Sequence, residues 1–286
     1  MDLGILLPVL GGILLLLFLI LKLKLQPFLA LLISSITIGV ATGMPFEDVL
    51  KNVQDGMAGT LGFVATIVGL GAIFGALLEK SGATESIASF LLNLSGIKNA
   101  PVALLAAGFF IAIPVFFDVA FVILVPMVYA LQKSSGKSLL YFAIPLLAGL
   151  AITHAFIPPT PGPIAVADIL NANLGLIIFY GFIVGLPTAI VSGILFGKYI
   201  GNKIHVEAPK DLEVNSTLTK GNKNSILVIF SVILIPLILI LGNTLTSFLL
   251  KNNTLSASIY TDIISFIGHP FNALIVANIL AIIYLG

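Results

Sequence analysis

The sequence predicts an all-α, polytopic membrane protein of about eight transmembrane helices, some of them proline-broken or re-entrant. Three observations predict it. Apolar residues fill 59% of the 286 positions and charged residues only 9%, against roughly 45–50% and 25% in soluble domains, so a water-facing surface of ordinary size cannot be built. Stretches free of Asp, Glu and Lys recur at 3–21, 25–46, 56–78, 99–117, 119–132, 138–167, 169–197, 224–250 and 263–286. Many approach the roughly 20 helical residues that cross a bilayer core. Proline or glycine interrupts several of these runs, which places breaks inside spans as well as between them.

Composition also excludes. The 13 basic residues, all lysine, balance 12 acids to a net charge of +1, so no basic excess points to a nucleic-acid or polybasic partner. With no cysteine there is no disulfide framework, thiolate nucleophile or cysteine metal site. His154, His205 and His269 are too scattered for a zinc cluster. Neither a metal nor a cofactor is expected.

Along the chain, the first run begins Met1-Asp2-Leu3, with no basic n-region and no small-residue cleavage site, and reads as a retained helix rather than a secretory signal. Lys22 and Lys24 close it, Lys133 and Lys137 form a short loop, and Lys198, Lys203, Lys210, Lys220 and Lys223 fall in the long polar segment. Lysine excess marks cytoplasmic loops, so these three are expected inside. Residues 43–55 carry Glu47, Asp48 and Asp55 against Lys51 and fit the outside, together with the N-terminus. The setting is a cell membrane of the bacterial cytoplasmic type, with the lipid bilayer as the surrounding medium. Gly69-Leu70-Gly71-Ala72-Ile73-Phe74-Gly75 lacks the following lysine of a phosphate loop, and close helix packing through Gly71 and Gly75 is expected instead. Residues 77–85 read equally well as a re-entrant turn or an interfacial loop. The hydrophilic stretch 199–223 divides a first transmembrane bundle, 1–198, from 224–286, as a cytoplasmic linker. Pro27-Phe28-x-Ala30-Leu31 returns as Pro270-Phe271-x-Ala273-Leu274, each after an apolar span, so 224–286 is read as the incomplete start of a second repeat.

Two acids and a histidine stand where a membrane should exclude them. An ionisable side chain deep in a bilayer costs at least ~2.5–3.5 kcal/mol. Asp118 is the one charged residue from Asn99 to Gln132, inside Pro114-Val115-Phe116-Phe117-Asp118-Val119-Ala120-Phe121. It marks either the tip of a helical hairpin or a functional group, and the short arm 119–132, ~21 Å as helix, favours a position below the interface. Asp168 and His154 flank the second anomaly, Thr153-His154-Ala155-Phe156-Ile157-Pro158-Pro159-Thr160-Pro161-Gly162-Pro163. Prolines so dense cannot continue a helix, so the chain there is an external loop or a broken segment lining a protein-enclosed cavity. Pro163 suits the first position of a new helix through residues 164–171, whose N-terminus would offer an anion free N–H groups and a positive dipole end. That matters because the chain has no arginine to clamp a carboxylate. Thr160 and Thr153 offer hydroxyls to a ligand, or bond back to backbone as threonines in membrane helices do. His154, with an ordinary pKa near 6.5, exchanges protons readily at physiological pH, or else serves as a structural histidine bonded to a carbonyl.

At Phe116-Phe117-Asp118-Val119-Ala120-Phe121, Thr153-His154 and Pro158-Pro159-Thr160-Pro161-Gly162-Pro163, the sequence resembles the gluconate:proton symporter (gluconate permease) family, most clearly between Gly56 and Lys198. The resemblance implies a bundle of transmembrane helices that takes up gluconate or related sugar, hydroxy or amino acids, driven by protons. It makes Asp118, His154 and residues 158–163 the site candidates. The departure is length: the family's chains carry a second half after the linker, so a fragment or truncated copy is expected.

Together these readings give a secondary active transporter for a small, gluconate-like organic anion coupled to protons. Thr160, Pro161, Gly162, Pro163 and Thr153 are the substrate-binding candidates, and Asp118, His154 and Asp168 the proton-coupling ones. The alternatives are a passive channel or non-transporting membrane subunit, and a carrier of a D-amino acid or another hydroxy acid. An intramembrane enzyme using His154 with Asp118 or Asp168 is disfavoured, since there is no cysteine nucleophile and no His-Glu-x-x-His pair. Oligomeric state stays open, a homo-oligomer included.

Overall fold

The computed structural model describes residues 3–209 and 225–286; Lys210, Lys220 and Lys223 of the hydrophilic stretch lie outside them. Among the described residues every regular element is helical: thirteen α-helices, a 3-10 turn at Ile97–Asn99 and a π segment at Ile190–Leu195. Six segments are long and apolar enough to cross a membrane, or eight if each of two bent helix pairs counts as one. The all-α polytopic expectation holds. Large apolar side chains such as Leu14, Val122 and Leu227 stand more than 65% exposed on these helices, as lipid-facing surfaces do. The protein is a multi-pass membrane protein.

The chain divides into two compact units, residues 1–63 and 64–286. The first holds α1 (Leu3–Leu21), α2 (Pro27–Ala41) and the N-terminal half of α3 (Phe46–Lys80). Pro27 opens α2 where its missing N–H costs nothing, and the Gln26 side chain accepts from the Leu29 N–H at 3.0 Å. Residues 46–55, expected as part of an external loop, are the first turns of α3. Glu47 and Asp48 sit in its first turn, where they complement the helix dipole, and no proline stops the helix before Lys80. Its 35 residues run to roughly 52 Å, so the charged turns extend past an apolar core rather than interrupt one.

The second unit continues from α3 through α4 (Ala83–Ser95), α5 (Ala100–Ile111), α6 (Phe117–Ser135), α7 (Leu139–Phe156), α8 (Pro161–Ile169), α9 (Leu174–Ala189), α10 (Phe196–Lys203), α11 (Ile226–Lys251), α12 (Ile259–Ile267) and α13 (Pro270–Leu285). Residues 77–85 are the end of α3, a tight turn at Gly82 with φ 71° and the start of α4. The bend between α4 and α5 is 112°. The two copies of the Pro-Phe-x-Ala-Leu motif both open helices, α2 and α13, with Ala30 and Ala273 fully buried.

Helices α5 and α7 make the tightest approach. A side chain at Gly108 would stand 2.6 Å from the Leu146 carbonyl oxygen, and one at Gly149 would run into the Leu105 carbonyl. Small residues let two helix backbones meet in this way where lipid offers no hydrophobic driving force. The Gly149–Leu105 contact and the Thr153–Phe109 hydrogen bond share a sequence offset of 44, so α5 and α7 run in the same direction. Around them Phe74, Ile87, Leu104, Leu124, Phe142 and Ile233 form the largest buried cluster.

Two basic loops of the second unit gather at one end. Ser138, almost fully buried, donates to the Ile204 carbonyl at 2.7 Å and accepts from the Val206 N–H at 3.1 Å. The Ala208 N–H reaches Gln132 Oε1 at 3.3 Å. Residues 204–208, where the hydrophilic stretch begins, are therefore strapped to the α6–α7 turn that carries Lys133 and Lys137. Shared placement of these lysine-bearing loops is what the positive-inside rule requires.

Candidate functional site

Because α5 and α7 are parallel and in register, they end side by side. α5 stops at Ile111 and residues 112–116 form a break before α6; α7 stops at Phe156 and residues 157–160 form a second break before α8. α7 and α8 count together as one interrupted span of 31 residues, so the proline-rich stretch is a broken helix rather than an external loop. His154 lies ~22 Å along α7 from Leu139, within the thickness of a ~30 Å hydrocarbon core.

The Thr153 hydroxyl donates to the Phe109 carbonyl at 3.0 Å. That carbonyl needs a partner, because the Ile113 N–H, which would donate to it in an uninterrupted α5, donates to the Phe110 carbonyl instead. Thr153 is fully buried and ties the two breaks together. Thr160, 5% exposed, is the N-cap of α8, and its hydroxyl donates back to the Ile157 carbonyl at 2.8 Å. Its oxygen lone pairs remain able to accept. The peptide between Pro158 and Pro159 is cis.

α8 starts at Pro161, two residues before the expected Pro163. Proline is tolerated throughout a first turn, where an N–H would have no intrahelical partner and its ring meets no preceding helical carbonyl. Pro161 and Pro163 therefore remove two first-turn donors, and the Ile164 N–H bonds the Thr160 carbonyl. Gly162, exposed, keeps the first-turn N–H that faces no intrahelical acceptor. The expected cluster of donors shrinks to one N–H and the dipole end.

α3 crosses both breaks. A Cβ on Gly75 would lie 2.6 Å from the Pro114 carbonyl oxygen, and one on Gly71 3.9 Å from the Pro159 ring. Gly75 thus serves close backbone approach, as expected, with the segment before α6 as its partner, whereas Gly71 makes only an ordinary contact with Pro159. Between them lies a cleft lined by Val68, Gly71, Ile113, Pro114, Pro159 and Thr160, with room for about 10 Å³. That is the space of one water; nothing larger enters unless α3 and the breaks separate.

Asp118 sits in the first turn of α6, immediately after the first break, and is exposed. α6 runs 19 residues to a Gly136 cap in the left-handed conformation, five longer than the arm expected from charge-free residues. The Phe116 and His154 rings meet edge to face at 6.2 Å, and the Asp118 carboxylate is close enough for its charge to act on the imidazole. His154 Nδ1 is buried without a hydrogen-bond partner among the described residues. The structure thus brings Asp118, His154, Thr153 and Thr160 to the paired breaks. Asp168 does not join them: it lies near the far end of α8, ~12 Å along the helix from Thr160.

Sequence reasoning missed Asn278. It sits in α13, 7% exposed, and its amide nitrogen donates to the Leu70 carbonyl of α3 at 3.0 Å. The signal was available, since an amide within an apolar run is costly in a membrane for the same reason as a charge. A separate cavity of about 980 Å³ in the first unit is lined by residues such as Phe28, Leu31, Val53 and Met57, with no titratable side chain. It holds no group to move a proton, and Ser35, Thr42 and Asn52 supply its polar lining. Among the described residues no group of three or more His, Cys, Asp and Glu could hold a metal ion.

Known proteins resemble this sequence. The gluconate permease of Zymomonas mobilis is 36% identical over 285 residues, covering 98% of the chain. The gluconate permease of Bacillus subtilis and the Gnt-II system L-idonate transporter of Escherichia coli are each 37% identical over 281 residues, covering 96% of it. The chain spans 62% of the length of each of these relatives. No solved structure matches it. Residues 4–286 match the family described as GntP family permease. The chain belongs to the GntP permease family.

Proposed function

We propose that this protein is a secondary active transporter that moves gluconate or a closely related polyhydroxy carboxylate together with protons. The observation that carries the reading is the pairing of the break inside the Leu139–Ile169 span with the α5–α6 connection, clamped by Thr153 on Phe109 and crossed by the α3 glycines. Broken helices supply dipole ends and freed backbone groups as ligands where a continuous helix offers none. The substrate carboxylate meets the N-terminal end of α8 at Gly162 and accepts from no arginine, since the chain has none. Thr160 lies beside that end. Asp118 and His154, close to each other and with Phe116 against the imidazole, exchange the proton, and Asp168 at the far end of α8 is a secondary candidate. The relatives named as gluconate permeases and as an L-idonate transporter support a sugar-acid substrate.

Alternating access follows from the closed cleft. Separation of α3 from one or other break opens it to one side, and substrate binding shifts the population between the two arrangements. The test is uptake of labelled gluconate into proteoliposomes under an imposed inward proton gradient. Accumulation above the external concentration, abolished by a protonophore, supports the reading. Equilibration insensitive to the gradient replaces it with a passive channel, and absence of any flux overturns it.

A further inference from the structure

The two sides of the Asn278 carboxamide are treated differently. Its nitrogen uses both hydrogens, on the Leu70 carbonyl at 3.0 Å and the Leu274 carbonyl at 2.8 Å. Its oxygen is buried with no donor among the described residues. A flipped amide would press its oxygen against two carbonyl oxygens and leave the nitrogen unpaired, so the hydrogen-bond network fixes the orientation. An acceptor buried in this way asks for a donor.

Its place in the fold says which donor. Leu70 immediately precedes Gly71, which lines the cleft between the helix breaks with Pro159 and Thr160. Ala273, one turn before Ala277 on α13, packs in a buried cluster with Ile113, a second cleft residue. The amide therefore packs on α3 one residue from the cleft wall at Gly71, behind the residues that line the cleft itself. A carboxylate carries no proton to give it. A hydroxyl does.

We propose that Asn278 is a specificity-determining residue, its Oδ1 accepting a hydrogen bond from a hydroxyl of the bound substrate. This rests on the proposed transport of a polyhydroxy carboxylate: the carboxylate lies toward α8, the hydroxylated carbons toward α13. The opening that admits the substrate exposes the oxygen, and closure buries the pair. A site built to bond a hydroxyl rejects the analogue that lacks it, because its own polar group is then left unpaired.

The test is calorimetric binding of gluconate and its singly deoxygenated analogues to the purified full chain in lipid nanodiscs, for the wild type, Asn278→Leu and Asn278→Ser. In the wild type one analogue is expected to bind about threefold to tenfold more weakly than gluconate, the worth of one hydrogen bond. In Asn278→Leu gluconate weakens by that factor while the same analogue is unchanged. Equal weakening of every ligand would assign Asn278 a merely structural role, and unchanged gluconate affinity would remove it from the site; either overturns the proposal. If neither variant folds, the wild-type panel still decides, since analogues that all match gluconate leave no hydroxyl for Asn278 to recognise. Failure of the wild type to bind gluconate at all would instead overturn the substrate reading, and this inference with it.

Discussion

Thr153 of α7 donates its hydroxyl to the carbonyl of Phe109 in α5 at 3.0 Å, two residues before α5 ends and three before α7 does. One side chain thereby satisfies a carbonyl that the broken helix α5 has released, and fixes the register in which both breaks open at the same level. A hydroxyl read from sequence as a substrate ligand has, in the fold, its proton committed to the scaffold.

Replacing Thr153 with Val keeps the shape and removes the donor. The Phe109 carbonyl is left buried and unpaired, which costs about 1–3 kcal/mol. Thermal unfolding in detergent should show that loss, with Thr153→Ser close to wild type. Should Thr153→Val melt like the wild type while ligand affinity collapses, the hydroxyl belongs to the ligand rather than to α5.

Gly75 has no room for a methyl group, because its Cβ would stand 2.6 Å from the Pro114 carbonyl oxygen, whereas Gly69, on the same helix, has nothing within 4 Å. Gly75→Ala is expected to destabilise by about 1–3 kcal/mol through forced separation of backbone from backbone. Gly69→Ala should be neutral or gain up to about 1 kcal/mol of helix propensity. Comparable melting temperatures for the two variants would contradict the contact.

Asp118→Asn keeps the size of the side chain and removes its titratable proton. Gradient-driven accumulation of gluconate should disappear while membrane insertion and yield stay at wild-type level. Undiminished accumulation by the variant would take Asp118 out of proton coupling and leave that role to His154 or Asp168.

Ser138 serves three partners with one hydroxyl: the Ile204 carbonyl, the Val206 N–H and the Leu140 N–H. Ser138→Ala should release residues 204–208 from the α6–α7 turn, at a cost of about 1–3 kcal/mol for the buried groups left unpaired. Limited proteolysis is the measurement: cleavage within 204–208 should accelerate in the variant, and equal cleavage rates would show that the strap is held by other bonds.

Much of the fold was legible. Charge-free runs located the spans, because a bilayer excludes charge wherever it occurs, and the prolines at 158–163 announced a break that the structure confirms between α7 and α8. The same charge rule misled at 43–55, where it marks the limit of the apolar core and not the end of a helix; α3 simply continues through Glu47, Asp48, Lys51 and Asp55. The start of α8 was misplaced by two residues because proline chemistry fixes a first turn without saying which proline leads it. Within the site, Asp118 and His154 stood out by being ionisable. Asn278 did not, because an uncharged amide is weakly marked in composition and its significance lies in one unpaired atom.

By itself the sequence determined the solvent, the helical class, the interruption points and the scarcity of charge, since each follows from residue chemistry against a hydrocarbon medium. Only the tertiary structure decided that α5 and α7 run parallel and that their ends meet α3 at Gly71 and Gly75. Those relations depend on which small residues let which backbones touch, and contacts between residues far apart in the chain leave no periodic mark in it.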